Sequence, residues 1–265
     1  MKKLTHPWAL VSQIIVLIAI IAALFPGIFA HGNPLSGEFE PLLSPSLEHW
    51  FGTDSIGRDL YTRVVYGTRQ SLLGGLIAVL VGATFGTFIG LIAGVGGKFV
   101  DTLLMRAIDV LLAIPSLLLS LSIIVLLGYG TINAAIAVGL TSVAAFARLA
   151  RSQVLSVAQR EFVEAAYGSG ATKAQVIIRH ILPNSLSPVL ALAAVQFGSA
   201  ILQLSVLGFL GYGAPPPTPE WGLIISDARD YLATSWWLTV LPGVVIISVV
   251  VAANYLSNLV AKERN

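Results

Sequence analysis

The chain has no cysteine at all. A disulfide framework, a thiolate nucleophile and a thiolate metal site are therefore all excluded. Charge is the second scarcity. Only 11% of the 265 residues are charged, while 56% are hydrophobic; a soluble domain carries about 25% charged residues. So little charge cannot coat so much apolar surface, and the fitting solvent is a bilayer. The formal net charge of +2 gives no reason to expect a nucleic-acid partner. Internal repeats, low-complexity tails and a second soluble domain are missing too. Enzyme signatures are equally thin. His6, His31, His49 and His180 are scattered, zinc-type histidine motifs are missing, and no G-x-S-x-G elbow occurs. The nearest approach to a phosphate loop is "IAGVGGKF", which has Ile92 where the first glycine belongs and Phe99 in place of Ser or Thr.

What is present is a series of six apolar segments, each long enough for a bilayer of about 30 Å at 1.5 Å per residue. They lie near Trp8–Phe29, Ser71–Ala93, Leu103–Leu127, Ile132–Leu149, Leu186–Leu210 and Trp236–Leu259. Continuous apolar runs favour helices over barrel strands. The first run exceeds a secretory h-region and reads as a retained span. With the N-terminus in the cytoplasm, the inside segments hold Lys2, Lys3, Lys98, Arg106, Arg148, Arg151, Arg160, Lys173, Arg179, Lys262 and Arg264. The outside segments hold only Arg58, Arg63, Arg69 and Arg229, as the positive-inside rule requires. Both termini are then cytoplasmic. Segments 31–69 and 211–235 lie outside, the second with a triple proline expected to form a polyproline II rod.

Between spans four and five runs "REFVEAAYGSGATKAQVIIRHILPNSLSP". Glu161 to Tyr167 contains helix formers without a breaker. Gly168 and Gly170 tolerate positive φ and end that helix cheaply. Ala171 to Ile181 is helical again, and Pro183 is expected to close the unit before span five. The reading is a cytoplasmic helix–turn–helix bracket over about 160–184 that presents a short helix to something outside the membrane; an amphipathic loop lying on headgroups is the alternative.

"EAAYGSG" followed by "ATKAQVIIRHILP" resembles the EAA loop of the permease subunits of bacterial ABC importers. Glu164, Ala165, Ala166, Gly170, Leu182 and Pro183 occupy the motif positions. "FGTDSIGRDLYTRVVYGTRQSL", "DTLLMRAIDVLLAIPSLLLSL" and "LGFLGYGAPPPTPEWG" resemble the second permease of dipeptide, oligopeptide and nickel uptake systems. Four such stretches in order cover nearly the whole chain. The C-terminus lacks the acidic-arginine tail of many members, and His180 stands where many carry an aliphatic residue. The resemblance implies an all-α, six-span permease of the type I ABC importer fold in the bacterial inner membrane. It implies a heterodimer with a homologous permease, two ATPase subunits that bind ATP and magnesium, and an external substrate-binding protein. In that scheme the first bracket helix docks in an ATPase cleft. Glu164 pairs with a basic residue there, Ala165 and Ala166 keep the helix slim, and Gly170 makes the turn.

Polar residues within the spans are the pathway candidates: Gln196, Ser199 and Gln203 on one face of span five, and Asn254 in span six. Interhelical hydrogen bonding is their other role. Arg106 and Asp109 form an i, i+3 pair suited to local charge balance. Pro115, Pro188 and Pro242 are expected to kink helices or mark their ends. Asp54, Arg58, Asp59, Pro216, Pro217 and Trp221 are the candidates for meeting the binding protein. Di- or oligopeptide is the first choice of cargo, with nickel or a metal chelate as the alternative. A stand-alone secondary transporter would need ionisable residues inside the spans, which are scarce. A membrane enzyme would need convergent catalytic groups, which the sequence does not offer.

Overall fold

A computed structural model describes residues 7–263, with side chains described through Leu259. Lys2, Lys3, His6 and Arg264 lie outside the described residues, as does the side chain of Lys262. Ten α-helices follow in chain order: α1 (Pro7–Leu24), α2 (Leu60–Val95), α3 (Lys98–Ala113), α4 (Ser116–Leu127), α5 (Thr131–Ala158), α6 (Glu161–Gly168), α7 (Lys173–Val176), α8 (Leu182–Phe209), α9 (Trp221–Asp227) and α10 (Trp237–Glu263). No strand is present among the described residues.

Five helical stretches are long and apolar enough to cross a membrane: α1, α2, α5, the run Lys173–Phe209 and Trp237–Leu259. The segment expected to be a single third span is instead two helices, α3 and α4, meeting at 97°. The cause is local. Pro115 disfavours α geometry in the residue before it, and Ile114 is extended at φ −91°, ψ 129°. Pro188 and Pro242 do not end their helices; each lies inside a continuous one, α8 and α10.

The helix α2 is the spine. Its 36 residues make a rod of about 54 Å, well beyond the hydrocarbon thickness. Asp59 caps its start by accepting the Thr62 N–H at 2.8 Å. It lies against α5 along a stripe of glycines four apart. A methyl on Gly86 would sit 2.6 Å from the Val143 carbonyl, and one on Gly90 would sit 2.5 Å from that of Ala147. Gly139 answers from α5, where a methyl would lie 2.7 Å from the Ala78 carbonyl. Without a hydrophobic force between helices in lipid, such close backbone approach supplies the packing.

Two apolar cores flank this seam. One joins α2, α4, α5 and α8 around Phe146, Val138 and Leu207. The other joins α1, α2, α8, α9 and α10 around Trp221, Leu60 and Ile201.

Candidate functional site

The bracket is built from the inside out. Val163 of α6 is 2% exposed and packs with Val154, Val157, Val176 and Ile181. Ala166, one turn on, is half-buried in the same cluster. That pins one face of α6. On the other side, Glu161, Glu164 and Ala165 are exposed, flanked by Phe162 and Tyr167. Two acidic residues in the first turn suit the positive end of the helix dipole. Among the described residues Glu164 has no ion-pair partner.

The turn after α6 is a Schellman motif. The Ala171 N–H reaches back to the Ala166 carbonyl at 3.2 Å, and the Gly170 N–H to that of Tyr167 at 3.0 Å. This closure places Gly170 at φ 85°, the left-handed region that glycine enters without steric cost. Gly168 does not share that geometry; it is the last residue of α6. Thr172 then caps α7 in a capping box with Gln175.

Pro183 does not close the unit. The chain passes from α7 through a π-turn, Ile177–Ile181, straight into α8. The Leu182 N–H bonds the Ile177 carbonyl across the widened turn. Widening keeps the proline ring clear of the carbonyl four residues back, which an α-turn would drive into it. Asn184 and Ser185 then donate to the carbonyls of His180 and Ile181 at 2.7 and 2.8 Å. Leu182 is half-buried and Pro183 exposed.

The bracket is tied to the bundle by polar contacts. Lys173 Nζ donates to the Val95 carbonyl at the end of α2, at 3.0 Å. Arg151 of α5 holds Asp101 of α3 through two hydrogen bonds. Arg148 pairs with Asp109 at 2.6 Å, so Asp109 is balanced across helices rather than by Arg106 within its own turn.

At the other end of α2 a charged cluster is enclosed. Arg63 is 1% exposed. Its Nη1 donates to the carbonyls of Pro34 and Pro217 at 3.0 and 3.4 Å, so one side chain fastens both long connecting segments to α2. Asp54 bonds Arg58 at 2.6 Å and lies 3.6 Å from Arg63, while Asp227 of α9 is 3.8 and 3.7 Å from the two arginines. Burial pushes the Asp227 carboxyl up, against the pull of both guanidinium groups. Trp221 is fully buried and its indole N–H donates to the Val64 carbonyl at 3.1 Å.

These placements correct part of the sequence reading. Asp54, Arg58 and Trp221 are buried within the chain, where each completes a contact that closes its segment on α2. Asp59 is half-buried as the α2 cap and holds His49 at 3.1 Å. Pro216 and Pro217 alone of that set are exposed. They form no rod: the Thr218 N–H closes a turn onto the Pro215 carbonyl, with a cis Pro216–Pro217 bond. Within the spans, Gln196 and Ser199 are half-buried. The amide oxygens of Gln203 and Asn254 are buried with no hydrogen-bond partner among the described residues. Asn254 lies over Gly198, where a methyl would come 2.5 Å from its Oδ1. Among the described residues, no group of three or more His, Cys, Asp or Glu is placed to hold a metal ion.

The family model described as "Binding-protein-dependent transport system inner membrane component" matches residues 86–264. The chain belongs to that family. A dipeptide transport system permease protein of Alkalihalophilus pseudofirmus is 43% identical over 258 residues, covering 97% of this chain and 84% of the relative. A probable D,D-dipeptide transport system permease of Escherichia coli is 38% identical, over 94% of this chain and 84% of its own length. In fold, the permease is similar to a chain of the MetNI methionine ABC transporter in its inward-facing conformations. The TM-score is 0.63 at 17% identity, over 78% of this chain and 98% of that one. It is an inner-membrane, all-helical permease of the type I importer fold. The family model begins at Gly86, within α2. The bracket thus lies in the part matched by the family model, as does Asp227, while Asp54, Arg58 and Arg63 precede it.

Sequence reasoning passed over Glu220 and Asp227, and took Arg63 only as one of the outer positive charges. Glu220 is the sharpest omission. It is 3% exposed, and its two oxygens accept the N–H groups of Gly222 and Leu223 at 2.9 and 3.1 Å, capping α9. An acid directly before the helix-opening "WG" is the readable N-cap signal. Burial outweighs those bonds and lifts its carboxyl from 4.5 to about 7. The fold therefore keeps this proton where an unfolded chain has released it. Its contribution to stability is full below about pH 4.5 and is lost as pH rises through about 7. Glu220→Gln should flatten the fall in the thermal unfolding midpoint between pH 5 and 8 relative to the unaltered permease, read in detergent across that range. Parallel curves for the two proteins would show that Glu220 does not hold the proton.

Proposed function

We infer that this permease forms half of the translocation pathway of an ATP-driven peptide importer. Its partners are a homologous permease, two ATPase subunits that bind ATP and magnesium, and an external binding protein. The bracket faces the cytoplasm, and the Arg63 cluster faces the side from which cargo arrives. The observation that carries this reading is α6: a short helix braced on one face, ended by a glycine turn, with an exposed Glu164 carboxylate that has no ion-pair partner among the described residues. Such a helix suits a cleft on another protein, where a basic residue completes the pair and the small Ala165 admits close approach. Tied to α2 through Lys173 and continuous with α8 through the π-turn, it can pass a displacement from the ATPases into the bundle. Alternating access follows. Closure of the ATPase pair draws the brackets together and opens the bundle toward the loaded binding protein; hydrolysis resets it. Gln196, Ser199, Gln203 and Asn254 are the pathway-lining candidates, the last two because their buried amide oxygens lack a partner among the described residues.

Peptide is the favoured cargo because the similar permeases named above serve dipeptide systems; a nickel or metal-chelate importer is the alternative. The test is reconstitution of the permease with its neighbouring permease, ATPases and binding protein in proteoliposomes, with labelled dipeptide and nickel offered in turn. Dipeptide uptake that needs both ATP and the binding protein is expected. Uptake that persists without the ATPases would make the chain a secondary transporter, and uptake of nickel alone would reassign the cargo.

A further inference from the structure

Two cavities meet beside α1, at the end of α2 that carries the Arg63 cluster. The lower one, 260 Å³, lies between α1, α2 and α10 and is walled by Ile18, Ala19, Val64, Val245 and Val249. The upper one, 270 Å³, is lined by Glu48, His49, Trp50 and Asp59 among others. Phe29 and Tyr61 line both, so the two share a wall at the membrane boundary.

The lower cavity offers water too few polar partners. Thr68 and Ser248 donate back to their own helices, to the carbonyls of Val64 and Val244 at 3.0 and 2.7 Å, and the Trp221 indole N–H is taken by the Val64 carbonyl, so the Tyr61 hydroxyl is left as a lone polar group at the wall shared with the upper cavity. A water needs two to four polar partners to stay in such a space. An apolar occupant meets no such cost. The groove follows α2 from Tyr61 to Thr68, about 10 Å along the helix axis, a large part of one bilayer leaflet.

The upper cavity selects by charge. Among the described residues, no lysine or arginine lines it. Glu48 is exposed and has no partner among the described residues. Trp50 and Tyr61 stand with ring centroids 5.0 Å apart. Free carboxylate beside aromatic rings suits an ammonium group, by ion pairing and by cation–π attraction. Ethanolamine and glycerol phospholipids carry the same phosphodiester, so the terminal group decides: an ammonium pairs with Glu48, and a neutral glycerol does not.

We propose that the paired cavities bind one phospholipid, with an acyl chain in the lower cavity and an ammonium headgroup of the ethanolamine type in the upper. The leaflet concerned is the outer one if the orientation inferred above holds; the binding itself does not depend on it.

The test uses the assembled importer in nanodiscs of equal phosphatidylethanolamine and phosphatidylglycerol, released and weighed by native mass spectrometry. The full chain alone can be treated in the same way, so failure to assemble with the inferred partners leaves this result readable. One retained ethanolamine lipid per copy of the chain is expected, at least fivefold over the glycerol lipid. Glu48→Gln with Trp50→Ala, both at exposed positions, should bring the two lipids to parity. Ala19→Phe should lower retention of both without altering their ratio. No retained lipid, equal retention of the two by the unaltered protein, or a preference that survives Glu48→Gln with Trp50→Ala overturns the proposal. So does displacement of the lipid by a dipeptide, which would make the upper cavity a substrate site.

Discussion

Ala165→Trp is expected to abolish ATP-driven uptake by the reconstituted importer while leaving the amount of permease in the membrane unchanged. Position 165 is exposed on the free face of α6 and takes no part in the apolar cluster that braces the bracket. A larger side chain there does not disturb the fold. In a fitted cleft, overfilling costs about 1–3 kcal/mol, which weakens docking by about five- to 150-fold. Ala165→Ser should transport almost normally, since it adds little volume. Gly170 gives an independent handle. Nothing lies within 4 Å of a methyl built there, and its φ is 85°, so the burden of Gly170→Ala is conformational alone, about 1–2 kcal/mol. Gly170→Pro fixes φ near −65° and removes the N–H that closes the Schellman turn, so α6 loses its seat altogether. The expected order of uptake is unaltered, Gly170→Ala, then Gly170→Pro near zero, with ATP hydrolysis no longer responding to the loaded binding protein. Normal uptake by Ala165→Trp would remove α6 from the coupling path.

The bracket was legible because its signals are local. The helix formers of Glu161–Tyr167 and the glycine at 170 act within a few residues, and the helix and turn expected of them are found; the Thr172–Gln175 box is equally local but was passed over. The apolar runs were legible for a related reason: a bilayer imposes length and composition on each helix separately. What escaped the sequence depends on what meets what. Pro115 marked a kink, but the 97° turn that splits α3 from α4 depends on the packing of both halves. Pro183 looked like a stop because a proline opposes the α-turn; a π-turn gave it room, and periodicity carries no signature of that. Arg63 read as an outer positive charge. Its role, fastening Pro34 and Pro217 from distant parts of the chain, is written in no local pattern. The burial of Asp54, Arg58 and Trp221 escaped for the same reason: polar and aromatic residues in a connecting segment look exposed until the segment folds onto α2 and encloses them.

Gly86→Leu is expected to cost the permease its cooperative thermal unfolding transition in detergent and most of its abundance in the membrane. Even the methyl of Gly86→Ala would sit 2.4 Å from Phe146 Cβ and 2.6 Å from the Val143 carbonyl, against 3.4 Å for ordinary contact, so α2 and α5 must part by about 1 Å. Overpacking of that kind costs about 1–3 kcal/mol, and three further carbons find no space that the seam leaves open. A control separates this from the ordinary preference of helices for larger residues. Gly243 lies in α10 with nothing within 4 Å, so Gly243→Ala should be neutral or stabilise by about 0.8–1 kcal/mol. A Gly86→Leu midpoint equal to that of the unaltered protein would mean that the helices do not approach as closely as the glycine stripe implies. The seam matters beyond stability because of what lies at its two ends. Arg63 opens α2 and gathers the segments inferred to face the cargo, while the Val95 carbonyl closes it and receives Lys173 from the bracket. A displacement at α6 reaches the opposite side as a rigid movement only while α2 and α5 travel together. A milder variant, Gly86→Ala, should therefore lose transport before it loses the fold, with uptake falling more steeply than the unfolding midpoint.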